Sequence, residues 1–145
     1  MEVKIKRFSP EAIIPSKSTE GAIAFDLYVP FDYLIAKGRQ VVPLEFGIEM
    51  DAEWEAKIEP RSGFSSKGIE DKDGVRRDAD VVVGKVDSDY RGCVGVIVKS
   101  NETFVIGKGT KIAQMTFYHS PSTTFVETDE LSATNRKGGF GSTGK

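Results

Sequence analysis

Apolar and polar positions alternate with a period of two along much of this chain. Val3-Lys4-Ile5-Lys6 opens the pattern, and Phe46 to Met50 and Trp54 to Ile58 repeat it less cleanly. Such alternation predicts strands with one face in a core and the other in solvent. Val81-Val82-Val83 is instead a continuous apolar run between Asp80 and Gly84, and Val94 to Val98 and Lys111 to Tyr118 are also strand-like. β-Branched and aromatic residues dominate these stretches, and breakers fall between them. No apolar stripe at helical spacing lasts three turns. A single turn of helix fits Phe64 to Lys67, after Ser62-Gly63. The pattern therefore predicts an all-β domain: a sandwich, jelly roll or barrel.

Three stretches depart from it. Val81 to Val98 predicts a hairpin, with two apolar arms around the turn residues Asp87 to Gly92. Gly68 to Asp80 is nearly all charge and predicts an exposed excursion or a flexible loop. From Ser132 onward the chain is polar and glycine-rich, with four of its 15 glycines between Gly138 and Lys145. Such a segment cannot bury enough apolar area to offset its ordering entropy. The expected organisation is a folded domain over 1–131 and a mobile arm over 132–145.

Composition narrows the chemistry. At 145 residues the chain fits one domain, large enough to fold without covalent staples. Its 20 Lys+Arg against 22 Asp+Glu give a net charge of −2, which argues against bulk electrostatic gripping of nucleic acid. One cysteine, Cys93, excludes an intrachain disulfide and fits a reducing compartment. Cys93 with the lone His119 excludes an ordinary Cys/His zinc site. No apolar run approaches the ~18 residues of a membrane span, and the start lacks a hydrophobic signal core. These features predict a mature cytoplasmic protein with no membrane and no nucleic-acid partner.

Several segments could carry chemistry, and each has a plain structural alternative. Gly139 to Gly144 matches G-x-G-x-x-G, but only Lys145 follows it, so no helix can complete a dinucleotide fold. Its small residues can still expose backbone N–H groups to an anion, and Phe140 suits stacking on a flat ring. The alternative is a polar terminus. Arg61 offers planar donors to phosphate, joined by Ser62 and the Gly63 amide; the alternative is a surface arginine beside a turn. Asp87 could orient a water as general base, or be an ordinary turn carboxylate. Gln114 and Asp26 are polar residues inside apolar strands, which need partners whatever their role.

In order, the segments AFDLY, PRSG, GKVDSDYRG, GTKIAQM and GGFGSTG resemble the five motifs of the homotrimeric dUTPases, the dUTP diphosphatases. The resemblance runs from about Pro15 to Gly144. It implies a jelly-roll-like distorted β-barrel, a homotrimer, and active sites that each draw on all three chains. It implies hydrolysis of dUTP to dUMP and diphosphate with Mg2+, which keeps uracil out of DNA and supplies dUMP for thymidylate synthesis. By the same resemblance Asp87 activates the attacking water and contacts the deoxyribose 3′-hydroxyl. The backbone from Gly84 to Val86 reads uracil, Tyr90 packs under the sugar and excludes a 2′-hydroxyl, and Gly95 lets substrate approach. Arg61, Ser62, Gly63 and Gln114 lie at the phosphates, and Asp26 orients metal-bound waters. Phe140 covers uracil, while Arg136, Gly141, Ser142 and Thr143 hold the terminal phosphate.

Three features depart from the family pattern. Ala24 stands where glycine is usual, Gly68 to Val83 is longer than usual, and Arg136 lies one residue nearer Phe140, so that Lys137 shares its role. The competing readings are a dCTP deaminase on the same fold and a non-catalytic nucleotide-binding trimer.

Overall fold

A computed structural model describes residues 1–141. It contains thirteen short strands and one short helix. In chain order these are β1 (Lys4–Arg7), β2 (Phe25–Tyr28), β3 (Tyr33–Ile35), β4 (Gly38–Pro43), β5 (Phe46–Glu49), β6 (Trp54–Glu59), α1 (Ser62–Lys67), β7 (Ile69–Glu70), β8 (Arg76–Arg77), β9 (Ala79–Val82), β10 (Gly84–Asp87), β11 (Gly95–Ser100), β12 (Phe104–Ile106) and β13 (Lys111–His119). The short helix falls where the sequence predicts it. All pairings are antiparallel. The largest sheet has the order β10-β6-β13-β2, and a second has the order β4-β11-β9. Pairs β1-β5, β12-β3 and β7-β8 complete the fold. The architecture is jelly-roll-like and distorted, its five sheets staying open rather than closing into one continuous barrel.

Alternation places the core. In β6, Ala56 and Ile58 are buried while Glu55, Lys57 and Glu59 face outward. Their neighbours Met115 of β13 and Val86 of β10 are buried with them. Phe46, Val42, Val96, Ile35, Ile106 and Ile69 bring every other sheet into the same cluster. Burying each such side chain contributes about 1.5–3 kcal/mol, which is why strands as short as three residues hold.

One expectation needs correction, and one pair of alternatives is decided. Val81 and Val82 do pair with Val98 and Ile97, as the hairpin predicts. After Val83, however, the chain leaves that sheet, and β10 pairs with β6 instead of β11. Periodicity fixes which face a residue turns inward, not which strand it pairs with.

The charged stretch after α1 is an ordered excursion, not a flexible loop. Ile69 is fully buried and anchors it. Asp71 folds its tip by accepting the N–H groups of Asp73 and Val75, both at 2.9 Å. Arg77 then bonds Asp71 at 2.9 Å and Glu102 at 3.3 Å. The excursion is thus cross-braced to the loop before β12, although its composition looks fully solvated. No helix among the described residues is long and apolar enough to cross a membrane.

The Val75 N–H holds the Asp71 carboxyl below its usual range, against desolvation that pushes it up, with Arg77 and the Asp73 N–H also lowering it. The same bonds keep Arg77 more firmly protonated, through Asp71 first and then Glu102. A depressed carboxylate pKa stabilises the fold above the unfolded value, near 3.9, and that stability is lost as pH falls through the folded value. Asp71→Asn is therefore expected to unfold at lower denaturant than the parent at pH 7. The gap should narrow as pH drops below about 4. A gap in the denaturation midpoint that stays constant with pH would contradict this account.

Candidate active site

The outward face of the largest sheet brings several of the candidate residues together. Register aligns Asp26 of β2 with Gln114 of β13, and Gln114 with Glu59 of β6, so three polar residues form one row. Asp26 is buried, and a buried carboxylate needs partners. Arg61 Nε donates to its Oδ1 at 3.2 Å, and Lys111 Nζ reaches its Oδ2 at 3.4 Å. Each oxygen keeps a second lone pair for another donor. Pro60 ends β6 and sends Arg61 into α1, where its guanidinium lies over the ring of buried Phe64, 5.7 Å from the centroid. Only Nε is engaged with protein among the described residues, which leaves its terminal nitrogens for a ligand. Asp26, Arg61, Ser62, Gly63 and Gln114 share one cleft of about 650 Å³ with Ser18 and Gly21 to Ala24. Three segments distant in sequence thus converge as the motif resemblance predicts. Lys111 and the 18–24 loop were missed. Lys111 could have been found as the cation three residues before Gln114, on the strand that faces Asp26.

A second group lies elsewhere. Asp87 ends β10 opposite Glu55 of β6, and it lines a different depression with Glu53, Trp54 and Ser88. The Tyr90 N–H closes the following turn on the Asp87 carbonyl at 3.0 Å, and the Tyr90 hydroxyl donates to the Cys93 carbonyl at 3.1 Å. Gly92 lies so close to this ring that a Cβ there would meet Tyr90 Oη at 2.5 Å. Because β10 is an edge strand, one row of its backbone N–H and C=O groups has no strand partner. The Val86 side chain is buried, so only its backbone is available to a ligand.

The two groups do not meet within one chain. Asp87 is opposite Glu55 and Gln114 is opposite Glu59, so they stand four residues apart along β6. That is roughly 13 Å at the rise of an extended strand. Among the described residues of the arm, Phe140 and Arg136 make no contact with either group. Phe140 is fully exposed, and the Arg136 guanidinium donates to the Gly138 carbonyl at 2.9 Å, inside the arm itself. Phe140 and Gly141 both have positive φ, 53° and 84°. Ser142 and Thr143 lie outside the described residues. Within this chain the Arg61 cleft and the Asp87 depression are therefore separate.

These features place a guanidinium, a buried carboxylate and an amide in one cleft of a jelly-roll-like β fold. The family model described as dUTPase matches residues 10–144. The deoxyuridine 5′-triphosphate nucleotidohydrolase of Nautilia profundicola is 39% identical over 150 residues, spanning 100% of both chains. Its namesake in Vaccinia virus (strain Copenhagen) is 36% identical over 98% of this chain and 92% of the viral one. The chain belongs to the dUTPase family. Among solved structures, a variant Staphylococcus bacteriophage 80alpha dUTPase with dUpNHpp superposes with a TM-score of 0.84 at 17% identity, covering 98% of each chain. A variant dUTPase of S. aureus phage phi11, described with a structural Mg(II) ion, gives 0.79 at 16% identity over 90% of this chain and 99% of the other. At those identities the two structures establish the shared fold.

Glycines in the site divide by cause. A Cβ on Gly95 would overlap the Val41 side chain and meet the Val42 carbonyl at 3.3 Å, so β4 itself demands glycine there. A Cβ on Gly63 would meet nothing within 4 Å, and on Gly84 only Ile97 Cδ1 at 3.6 Å. Gly95→Ala is expected to destabilise by about 1–3 kcal/mol through overpacking. Gly63→Ala, in α1, should be neutral or stabilise by up to about 1 kcal/mol. Denaturant melts of both variants check this, and equal losses would contradict it.

Proposed function

We propose that this chain hydrolyses dUTP to dUMP and diphosphate by attack of water on the α-phosphorus. The observation that carries the reading is the pair of half-sites at opposite ends of one sheet face. A carboxylate, Asp87, stands at one end and a guanidinium cleft at the other. For them to act together, the Asp87 end of one copy must meet the Arg61 end of the next. Such a head-to-tail contact uses different patches on each copy and closes into a ring, here a homotrimer with three shared sites. The exposed Phe125, Val126 and Leu131 in the segment after β13 supply further apolar surface for a neighbouring copy to cover.

The steps follow from the residues. The free edge of β10, from Gly84 to Val86, hydrogen-bonds the flat edge of uracil. A wrong base leaves those groups unpaired, which is a strong source of discrimination. Tyr90, locked against Gly92 and Cys93, forms the floor beneath the deoxyribose and leaves no room for a 2′-hydroxyl. Gly95, beside β4, keeps this wall flat. Arg61 and Ser62, with the Gly63 amide, take the phosphates, and Gln114 adds an amide donor. Asp87 contacts the 3′-hydroxyl, orients the water and accepts its proton. The arm, residues 132–145, then closes. Phe140 stacks on uracil, Arg136 (with Lys137), Gly141, Ser142 and Thr143 hold the terminal phosphate, and water is excluded.

The donor set fits a magnesium ion carried on the triphosphate rather than one caged by protein. Among the described residues no three His, Cys, Asp or Glu side chains converge. Asp26 is the one carboxylate lining the phosphate cleft, and it would hold the ion through water. When bound, Mg2+ neutralises phosphate charge and fixes the chain of phosphates in one conformation. The net charge of −2 and the lone Cys93 support a reducing cytoplasmic setting without nucleic acid. There the activity would limit uracil incorporation into DNA and supply dUMP.

The test is diphosphate release from dUTP, dCTP, dTTP and UTP, with and without Mg2+. Turnover is expected for dUTP alone and to depend on Mg2+. Asp87→Asn should lower it about 10²–10⁴-fold while dUTP still binds. Ammonia from dCTP would indicate the deaminase reading, and binding without turnover the non-catalytic one.

A further inference from the structure

We infer that Arg91 is a positioning residue for the turn that carries Asp87 and Tyr90, an inference that rests on the roles given to those two residues above. The turn needs such a device because β10 and β11 on either side of it pair with different sheets. No ladder between its own arms holds it. Within it, the Tyr90 N–H bonds the Asp87 carbonyl and the Tyr90 hydroxyl bonds the Cys93 carbonyl. Past the turn, Val94 bonds the backbone of Leu44 and Phe46, and on the Asp87 side Arg91 supplies the tie. Its Nη1 donates to the Ser88 carbonyl at 2.6 Å and touches the Tyr90 carbonyl at 3.4 Å. Its Nε lies 3.4 Å from Glu49 Oε1, at the end of β5. The other Glu49 oxygen takes Lys4 of β1 at 3.3 Å. One guanidinium thus fixes the peptide next to Asp87 and ties the whole turn to the β1-β5 sheet.

Backbone packing agrees with this path. A Cβ on Gly47 of β5 would stand 3.1 Å from both the Arg91 and the Gly92 carbonyls. The turn therefore lies directly on β5, at the strand that also presents Glu49. The arrangement uses the planar fork of arginine, with two nitrogens aimed at two partners; a lysine can satisfy one of them at a time. Arg91 and Glu49 are each about half exposed, with side-chain accessibilities of 50% and 47%. Exposed pairs contribute little to folding. The effect of removing this one should appear in catalysis rather than in stability.

The experiment is steady-state kinetics of the full chain on dUTP and UTP, with thermal melts. The variants are Arg91→Gln, Arg91→Lys and Glu49→Gln, with Asp87→Asn as control. Arg91→Gln should lower kcat on dUTP about tenfold, change KM less than about threefold, and reduce the preference for dUTP over UTP. Its melting midpoint should shift by less than about 2 °C. Arg91→Lys should regain part of the loss, and Glu49→Gln should show a smaller loss of the same kind. Unchanged kcat in Arg91→Gln beside a crippled Asp87→Asn would overturn the clamp alone. A kcat loss matched by a falling midpoint in both arginine variants would make Arg91 merely structural. Full turnover in Asp87→Asn would remove the turn from catalysis and the clamp with it.

Discussion

The register of β6 is the constraint on which the rest depends. It pairs with β13 on one side and β10 on the other, and it continues through Pro60 into the loop of Arg61. Its inner face, Ala56 and Ile58, is locked into the core. A slip by one residue would send Glu55, Lys57 and Glu59 inward, at the cost of burying charge. Because the register cannot slip, Asp87 is held opposite Glu55 and the Asp26–Gln114 row opposite Glu59. The same hydrophobic alternation that makes the core thus sets a fixed spacing between Asp87 and the Asp26–Gln114 row. The proposed sharing of each site between neighbouring copies rests on that spacing.

The outward face between the two ends is not inert. Lys85 pairs with Glu55 at 3.6 Å, Lys57 lies over the Tyr118 ring at 4.6 Å from its centroid, and Tyr118 reaches Glu59 at 3.4 Å. Lys85 and Glu55 pair as charges, while Lys57 takes the ring and Glu59 the hydroxyl of Tyr118, which holds the long side chains down along the sheet. A flat, internally satisfied polar face can be covered by a neighbour without stranding a lone charge. Apolar side chains stand exposed in the segment after β13, Phe125 and Val126 among them.

Much of this was legible in the residues, for identifiable reasons. Strands such as β1, β6, β11 and β13 announced themselves by alternation or β-branched runs, since side-chain period and burial are local properties. The helix at Ser62 was legible because its residues suited no strand. The partner of β10 was not, because pairing depends on which edge is free once the core has formed. The order in the charged excursion was also hidden. Its charge reads as solvation, whereas one aspartate, Asp71, gathers two backbone amides and Arg77, and one isoleucine, Ile69, pins the base. In the site, Asp26, Arg61, Ser62, Gly63 and Gln114 were named from motifs, and the structure gathers them. Lys111 escaped because its meaning lies across the sheet, in its contact with Asp26. The family resemblance implied a glycine at 95 for substrate access; the structure adds a prior reason, the side chain of Val41.

The most direct test of the shared site mixes two inactive parents. One preparation carries Asp87→Asn and the other Arg61→Ala; the two are denatured together, refolded in equal amounts and assayed for diphosphate release from dUTP. If Asp87 and Arg61 act from neighbouring copies, random assortment into closed trimers restores about a quarter of the sites, and turnover rises to roughly that fraction of the unaltered protein. A mixture no more active than its parents would place both residues of each site in the same chain and contradict the account.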